Sequence, residues 1–446
     1  MDHVQILLSI SVAALAGLLM SRLCKLLKLP AVTGYLIAGI LVGGFCLGAL
    51  ALPGGYHLGF KGSEHLEMLS ILSEIALGFI AFSIGSEFRL SELKKTGKQA
   101  TIIGIVQALA TAAVCVVILL GLHFVLIAAT GVDYLPIPAV LILAAIATAT
   151  APAATLMVVR QYKAKGPLTN LLLPIVALDD AVGLVLFAIS FGVAKALIHG
   201  KVDILSVVLE PILEVVLSLL LGLVMGLLFT FFEKFFHSRS KRLSMSVTFV
   251  FLTVALSMLE FEIGGVHIAF SSLLVCMMLG TVFCNCCDFS EELMDRVDRW
   301  TAPLFILFFV LSGAELELSV FADIAIVIVG VVYIIARSLG KYFGAFTSSK
   351  AVKCEPNIVK YLGITLLPQA GVALGMAIKA KEALGAEGAI IANITLFAVL
   401  IYELVGPMLT KISLQKAGEI SPEGKVSARE EHKKLLEKKE HPAKHQ

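Results

Sequence analysis

Charge is scarce in this 446-residue chain. Asp, Glu, Lys and Arg together make up 15% of it, where a soluble domain carries about a quarter, so a water-facing surface over the whole length is excluded. The eight cysteines form no paired framework, which excludes a small fold stapled by disulfides. The first apolar run lacks both a basic start and a small-residue cleavage site, so it reads as a retained helix and not a signal peptide. No loop resembles the carbonyl or acid ring of a channel filter. The segment 414–446 is too short to hold a nucleotide-binding domain.

What is present is apolar and periodic. Hydrophobic residues make up 58% of the chain and the mean hydropathy is +0.95. The apolar residues fall in runs of about 20, the length a helix needs to cross a bilayer. About thirteen spans are expected, at 4–21, 31–50, 67–87, 100–121, 137–159, 167–190, 204–231, 243–259, 264–284, 301–314, 322–346, 358–379 and 388–411. The fold class is therefore an all-α polytopic membrane protein.

Lys and Arg set the orientation. Alternate loops hold Arg22, Lys25 and Lys28; Arg89, Lys94, Lys95 and Lys98; Arg160, Lys163 and Lys165; Lys234, Arg239, Lys241 and Arg242; Arg296 and Arg299; and Lys350, Lys353 and Lys360. The opposite loops hold only Lys61, Lys195, Lys201, Lys379 and Lys381. The bias puts the N-terminus outside and the C-terminus in the cytoplasm of a cell membrane, which requires an odd number of spans. The net charge of +2 is thus a topology signal and not a nucleic-acid footprint. Segment 414–446 reads as a short charged cytoplasmic tail, with a helix possible over 428–440.

Function is sought where the sequence violates its solvent. Asp179 and Asp180 stand side by side in the sixth apolar run. One carboxylate at the bilayer centre costs about 2.5–3.5 kcal/mol on insertion scales, and neighbours on a helix point about 100° apart, so a single structural contact does not account for both. In the fifth span, Ala145–Thr155 contains Thr148, Thr150, Thr155 and Pro152. Pro152 has no N–H, so the carbonyl of Thr148 loses its helical partner. Alone, this pattern is an ordinary proline kink; beside two acids, an unwound stretch offering carbonyl and hydroxyl oxygens to a small cation is the better reading. Pro368-Gln369-Ala370-Gly371 breaks the twelfth span. Arg337 and Lys341 lie four apart, on one face of the eleventh, and a buried Lys341 wants a carboxylate. Against that stands snorkelling to the interface. Glu403 is a further buried acid with an open role. Cys284, Cys286 and Cys287 are close enough to share an ion, but no fourth ligand is near, and a reduced rim fits the pattern better.

The breaks come in pairs. Spans four to six and eleven to thirteen each carry one in the middle member, seven spans apart, so the two triplets run in opposite directions. Inverted repeats with two broken helices crossing at midplane are an architecture of secondary transporters. The C-terminal ends of the half-helices there need positive compensation and the N-terminal ends negative.

With these residues assembled, the chain resembles the monovalent cation:proton antiporters, in particular bacterial sodium/proton antiporters with thirteen spans. The likeness covers 1–413 and is carried by Leu178-Asp179-Asp180-Ala181-Val182-Gly183, Ala149-Thr150-Ala151-Pro152 and Arg337-Ser338-Leu339-Gly340-Lys341, with softer matches at 29–36 and 309–313. The resemblance implies a homodimer. It also implies a mobile core (67–190 and 301–411) that moves like an elevator against dimerisation helices (1–50 and 204–284). It makes Asp180 the carrier of cation and proton and Asp179 the charge partner of Lys341, with Thr148 and Thr150 beside the ion and Gln369, Glu403 and Arg337 as accessories. No enzyme activity and no cofactor is implied, only transported sodium (or lithium) and protons. An aspartate pair with a lysine further implies electrogenic exchange. One departure stands out: many relatives carry Pro-Arg-Gly-Glu where this chain has Pro368-Gln369-Ala370-Gly371. Potassium/proton exchange uses the same residues and stays open, as does a sodium-coupled solute symporter. A cation channel is the least favoured alternative.

Overall fold

In a computed structural model the described residues are 3–420, apart from 28, 45, 52–53, 62, 87, 89, 200–203, 264–265, 288–289 and 316–323. The expected helix at 428–440 lies outside them. The chain is built from α-helices joined by short loops: α1 (His3–Leu26), α2 (Ala31–Val42), α3 (Ser63–Glu67), α4 (Ser70–Ser86), α5 (Leu90–Thr130), α6 (Ile137–Ile146), α7 (Pro152–Gln161), α8 (Pro167–His199), α9 (Ile204–Glu233), α10 (Arg239–Ser257), α11 (Ser272–Cys286), α12 (Ser290–Ala314), α13 (Ile324–Ala351), α14 (Pro356–Thr365) and α15 (Gly371–Lys416). Each expected span overlaps an α-helix, though the second leaves its helix after Val42. Eight helical stretches among the described residues are long and apolar enough to cross a membrane. Their outer faces carry exposed Leu7, Leu15, Leu19, Val117 and Phe124, as surfaces facing lipid do.

Two expected spans prove to be broken. α6 and α7 share the fifth, interrupted over 147–151, and Pro152 occupies the first turn of α7, where its missing N–H has no helical partner to lose. α14 and the start of α15 share the twelfth, interrupted over 366–370. α15 then turns at Gly385, whose φ of 57° and ψ of −118° suit a residue without a Cβ. That turn joins the twelfth and thirteenth spans. The start of the ninth span differs from expectation: Phe261–Ile263 and Val266–Ile268 pair as a short antiparallel ladder, and α11 begins only at Ser272. The alternating, β-branched segment there suits an extended chain.

Buried apolar side chains gather in four clusters among the described residues. α5, α6, α8, α13 and α15 share one, which includes Ile142, Leu143, Tyr333 and Ile394. α2, α4 and α9 to α12 share another with parts of α7 and α8, which includes Phe79, Phe82, Phe229 and Phe283. Two smaller clusters lie between α5, α7, α8, α13 and α14 and between α1, α2 and α12. α4 lies chiefly on α11, and α12 chiefly on α2 and α4. The most extensive helix pair in the chain is α5 with α13. Gly340 and Gly344 permit it, since a Cβ at either would lie 2.7 Å from Cα of Thr111 or 2.9 Å from Cα of Gln107.

Candidate cation and proton site

The two breaks cross and touch. The backbone N–H of Ala151 donates to the carbonyl of Pro368 at 2.8 Å, so each unwound stretch meets part of the other's hydrogen-bonding need. Four half-helix ends converge there: the C-terminal ends of α6 and α14 and the N-terminal ends of α7 and α15.

Basic side chains of α13 meet the negative ends. Arg337, 0% exposed, donates from Nε to the carbonyl of Ala147 at 2.9 Å, from Nη2 to Ala149 at 2.7 Å and from Nη1 to Leu367 at 2.7 Å. One guanidinium thus ties both breaks together, and its Cζ lies 4.5 Å from the ring centre of Tyr402. One turn on, Lys341 donates from Nζ to the Thr148 carbonyl at 2.6 Å, the acceptor that Pro152 leaves without a helical donor. Lys341 also meets Oδ2 of Asp179 at 2.7 Å. The expectation of a buried pair with Asp179, against snorkelling, fits this geometry. Arg337, expected as an accessory, takes three carbonyls of the breaks, and Lys341 takes one.

The adjacent acids differ sharply. Asp179 is saturated: Oδ2 accepts from Lys341 and from the Thr150 hydroxyl at 2.7 Å, and Oδ1 accepts from the Gln107 side-chain amide. Asp180 is 1% exposed and neither of its oxygens accepts a hydrogen bond of normal geometry, although the Thr150 N–H, at the positive end of α7, directs its dipole toward it. Thr148 packs against α8, where a Cβ at Gly183 would stand 2.9 Å from Oγ1. That hydroxyl donates to the carbonyl of Ala145 at 2.7 Å. Gln369 is buried and donates to Ile146 O at 2.9 Å and to Tyr333 at 3.3 Å. Glu403 is placed apart: it is buried with Oε2 unpartnered, and the charged group acting on it is Glu315 at the end of α12. The three clustered thiols do not converge. Cys286 is exposed, Cys284 points to backbone carbonyls of 85, 88 and 281, and Cys287 lies 3.7 Å from Oε2 of Glu233.

Comparison with known proteins bears on the whole chain. Residues 10–416 match the transmembrane sodium/hydrogen exchanger family. The chain belongs to that family. It is therefore a membrane-embedded cation/proton antiporter and not an enzyme. Among curated relatives it is similar to the Na(+)/H(+) antiporter NhaS4 of Synechocystis, 24% identical over 80% of this chain and 84% of that one. It is also similar to the high-affinity Na(+)/H(+) antiporter NhaS3 of the same organism, 31% identical over 23% and 26% of the two chains. Two structures of the sodium proton antiporter MjNhaP1 from Methanocaldococcus jannaschii share the fold. One, at pH 8, has a TM-score of 0.62 and 20% identity over 94% of this chain and 97% of that one. The other has a TM-score of 0.67 and 18% identity over 94% and 96%.

Sequence reasoning missed Gln107, Tyr333 and Tyr402. The available signals were a mid-span amide at 107, a tyrosine one turn before Arg337 and a tyrosine beside Glu403.

Proposed function

We propose that this antiporter exchanges sodium, or lithium, for protons electrogenically, with Asp180 as the carrier. The observation that carries the reading is the contrast between the acids: Asp179 is held by three side-chain donors, while Asp180 sits beside it, equally buried, with no side-chain donor on either oxygen and only the Thr150 N–H directed toward it among the described residues. A buried charge without partners is costly, so Asp180 rests best when it holds a proton or a dehydrated cation. Those two occupants compete for one carboxylate. The body containing α5, α6, α8, α13 and α15 then moves as an elevator against a scaffold that pairs two copies of the chain in the cell membrane, with N-termini outside and C-termini in the cytoplasm. Thr148 and Thr150 lie at the ion; Lys341 and Arg337 compensate the breaks. The aspartate pair with its lysine supports movement of more than one proton per cation.

The test is cation-induced proton transport in proteoliposomes across sodium, lithium and potassium salts, with the voltage clamped by valinomycin. Sodium or lithium should drive proton movement, and the reversal point should follow voltage, because each net charge couples by about 2.3 kcal/mol per 100 mV. Asp180→Asn should abolish exchange. Equal response to potassium overturns the cation assignment; indifference to voltage overturns the electrogenic one; robust exchange in Asp180→Asn overturns the carrier.

A further inference from the structure

Gln107 approaches the acid pair from a helix that carries no other part of the site described so far. It lies near the middle of α5 and is 0% exposed. Its Nε2 donates to Oδ1 of Asp179 and, at 3.1 Å, to the carbonyl of Gly104. The Gly104 carbonyl is an acceptor only, which orients the amide: the nitrogen faces that carbonyl and Asp179, and Oε1 has no donor. A buried amide that spends both N–H groups while its oxygen goes unpaired is poor as a packing element, since the unpaired oxygen has a cost of its own.

The two oxygens of Asp179 are supplied differently. Oδ2 has Lys341 and Thr150; Oδ1 has Gln107. Gly344 lets α13 come down on α5 at Gln107 itself, so the amide and the ammonium reach the carboxylate from two adjoining helices. The charged groups acting on Asp179 are Lys341 and Arg337 of α13 and Asp180 beside it, and Cys115 of α5 faces the two cations. A hydrogen bond from a neutral amide favours the ionised acceptor without adding charge to the site. It therefore persists when Lys341 changes its own protonation or partner.

We propose that Gln107 is a positioning residue of the exchange reaction, holding Asp179 ionised and turned toward Lys341 and thereby setting the pH range over which the site accepts a cation. The inference rests on the reading of Asp179 and Asp180 as the exchange site. Stabilisation of the purified antiporter by sodium, followed by thermal melting across pH, tests it without depending on turnover.

In the parent protein sodium should stabilise above some onset pH. In Gln107→Leu that onset should move to higher pH by about one unit, the worth of one hydrogen bond to an ionised group. In an Asp179→Asn background the same substitution should leave the onset where Asp179→Asn alone puts it. Gln107→Asn, whose amide is one methylene shorter, should shift the onset in the same direction and serves if the leucine variant does not fold. An unshifted onset in the Gln107 variants, or an equal shift in the Asp179→Asn background, overturns the proposal. Asp180→Asn is the control for the underlying reading: sodium stabilisation surviving there overturns the exchange site itself, whereas its loss there with an unshifted Gln107 variant overturns only the role of Gln107.

Discussion

Removing the guanidinium that bridges the two breaks should be the most damaging single change in this protein. Arg337 gives three charge-assisted hydrogen bonds of 2.7–2.9 Å to carbonyls of Ala147, Ala149 and Leu367. Those carbonyls sit at the C-terminal ends of α6 and α14, where the helix dipole is negative. Each bond to a charged donor is worth about 1.5–3 kcal/mol net, and each carbonyl left dry costs about 1–3 kcal/mol. The terms do not add, because deleting the cation also removes the desolvation cost of burying it, itself several kcal/mol. The expected loss for Arg337→Met is about 3–5 kcal/mol, the usual cost of breaking a buried charged network. Arg337→Lys keeps the charge but not the planar fork, so it should fall between the methionine variant and the parent. Thermal melting of the detergent-purified protein, scored by retention of the folded elution peak, gives the ranking. If the methionine variant melts within about 1 °C of the parent, the carbonyls are satisfied some other way and the bridging role is wrong.

Three further outcomes follow from named contacts. Lys341→Ala should destabilise by about 3–5 kcal/mol by leaving Asp179 short of its 2.7 Å partner, and Asp179→Asn in the same chain should recover part of it; strictly additive effects in the cycle would show that the two do not interact. Arg160 of α7 meets Asp298 of α12 at 2.5 Å, and Gln161 accepts from the backbone of Ala31 at 2.8 Å, so two polar contacts join the end of α7 to α12 and α2. Asp298→Asn should cost at most about 1 kcal/mol of stability, as partly exposed pairs do, yet speed hydrogen exchange along α7; unchanged exchange removes the contact from the transport cycle. Glu419 caps α8, accepting from the N–H of Leu168 at 2.7 Å and Thr169 at 2.8 Å and from the Thr169 hydroxyl at 2.6 Å. Glu419→Ala should cost about 1 kcal/mol and lower amide protection at 168 and 169 severalfold, and intact protection would refute the cap.

The spans, both breaks, the acid pair and the lysine were legible because a membrane makes polar groups conspicuous. A proline or an aspartate among leucines has few bland explanations. The reading of Pro152 reached as far as the single carbonyl it frees, and that carbonyl is the one Lys341 holds. Helical spacing also put Arg337 and Lys341 on one face, and both meet the breaks. What spacing could not give was reach. Whether the basic side chain at 337 or at 341 meets more of the breaks depends on how far α13 descends on α5, which the glycines at 340 and 344 decide through contacts of under 3 Å. The same holds for Gln107, an unremarkable residue until α8 is packed against it. Glu403 was visible as a buried acid, but its place away from the acid pair was not.

The departure at residues 369–371 finds a physical account in the same geometry. Here the negative ends are met from outside the break: Arg337 takes two carbonyls after α6 and one after α14, and Lys341 takes a third after α6. Gln369 supplies a neutral donor to the carbonyl of Ile146, a bond that would otherwise call for charge. The carboxylates of α8 stand opposite, with the N–H of Thr150, in the break before α7, directed toward Asp180. With no charged pair at 369 and 371, Asp180 is the carboxylate on this crossing that no side-chain donor holds among the described residues, and under the proposed electrogenic exchange the second proton moved per cation has to come from the Lys341–Asp179 pair beside it.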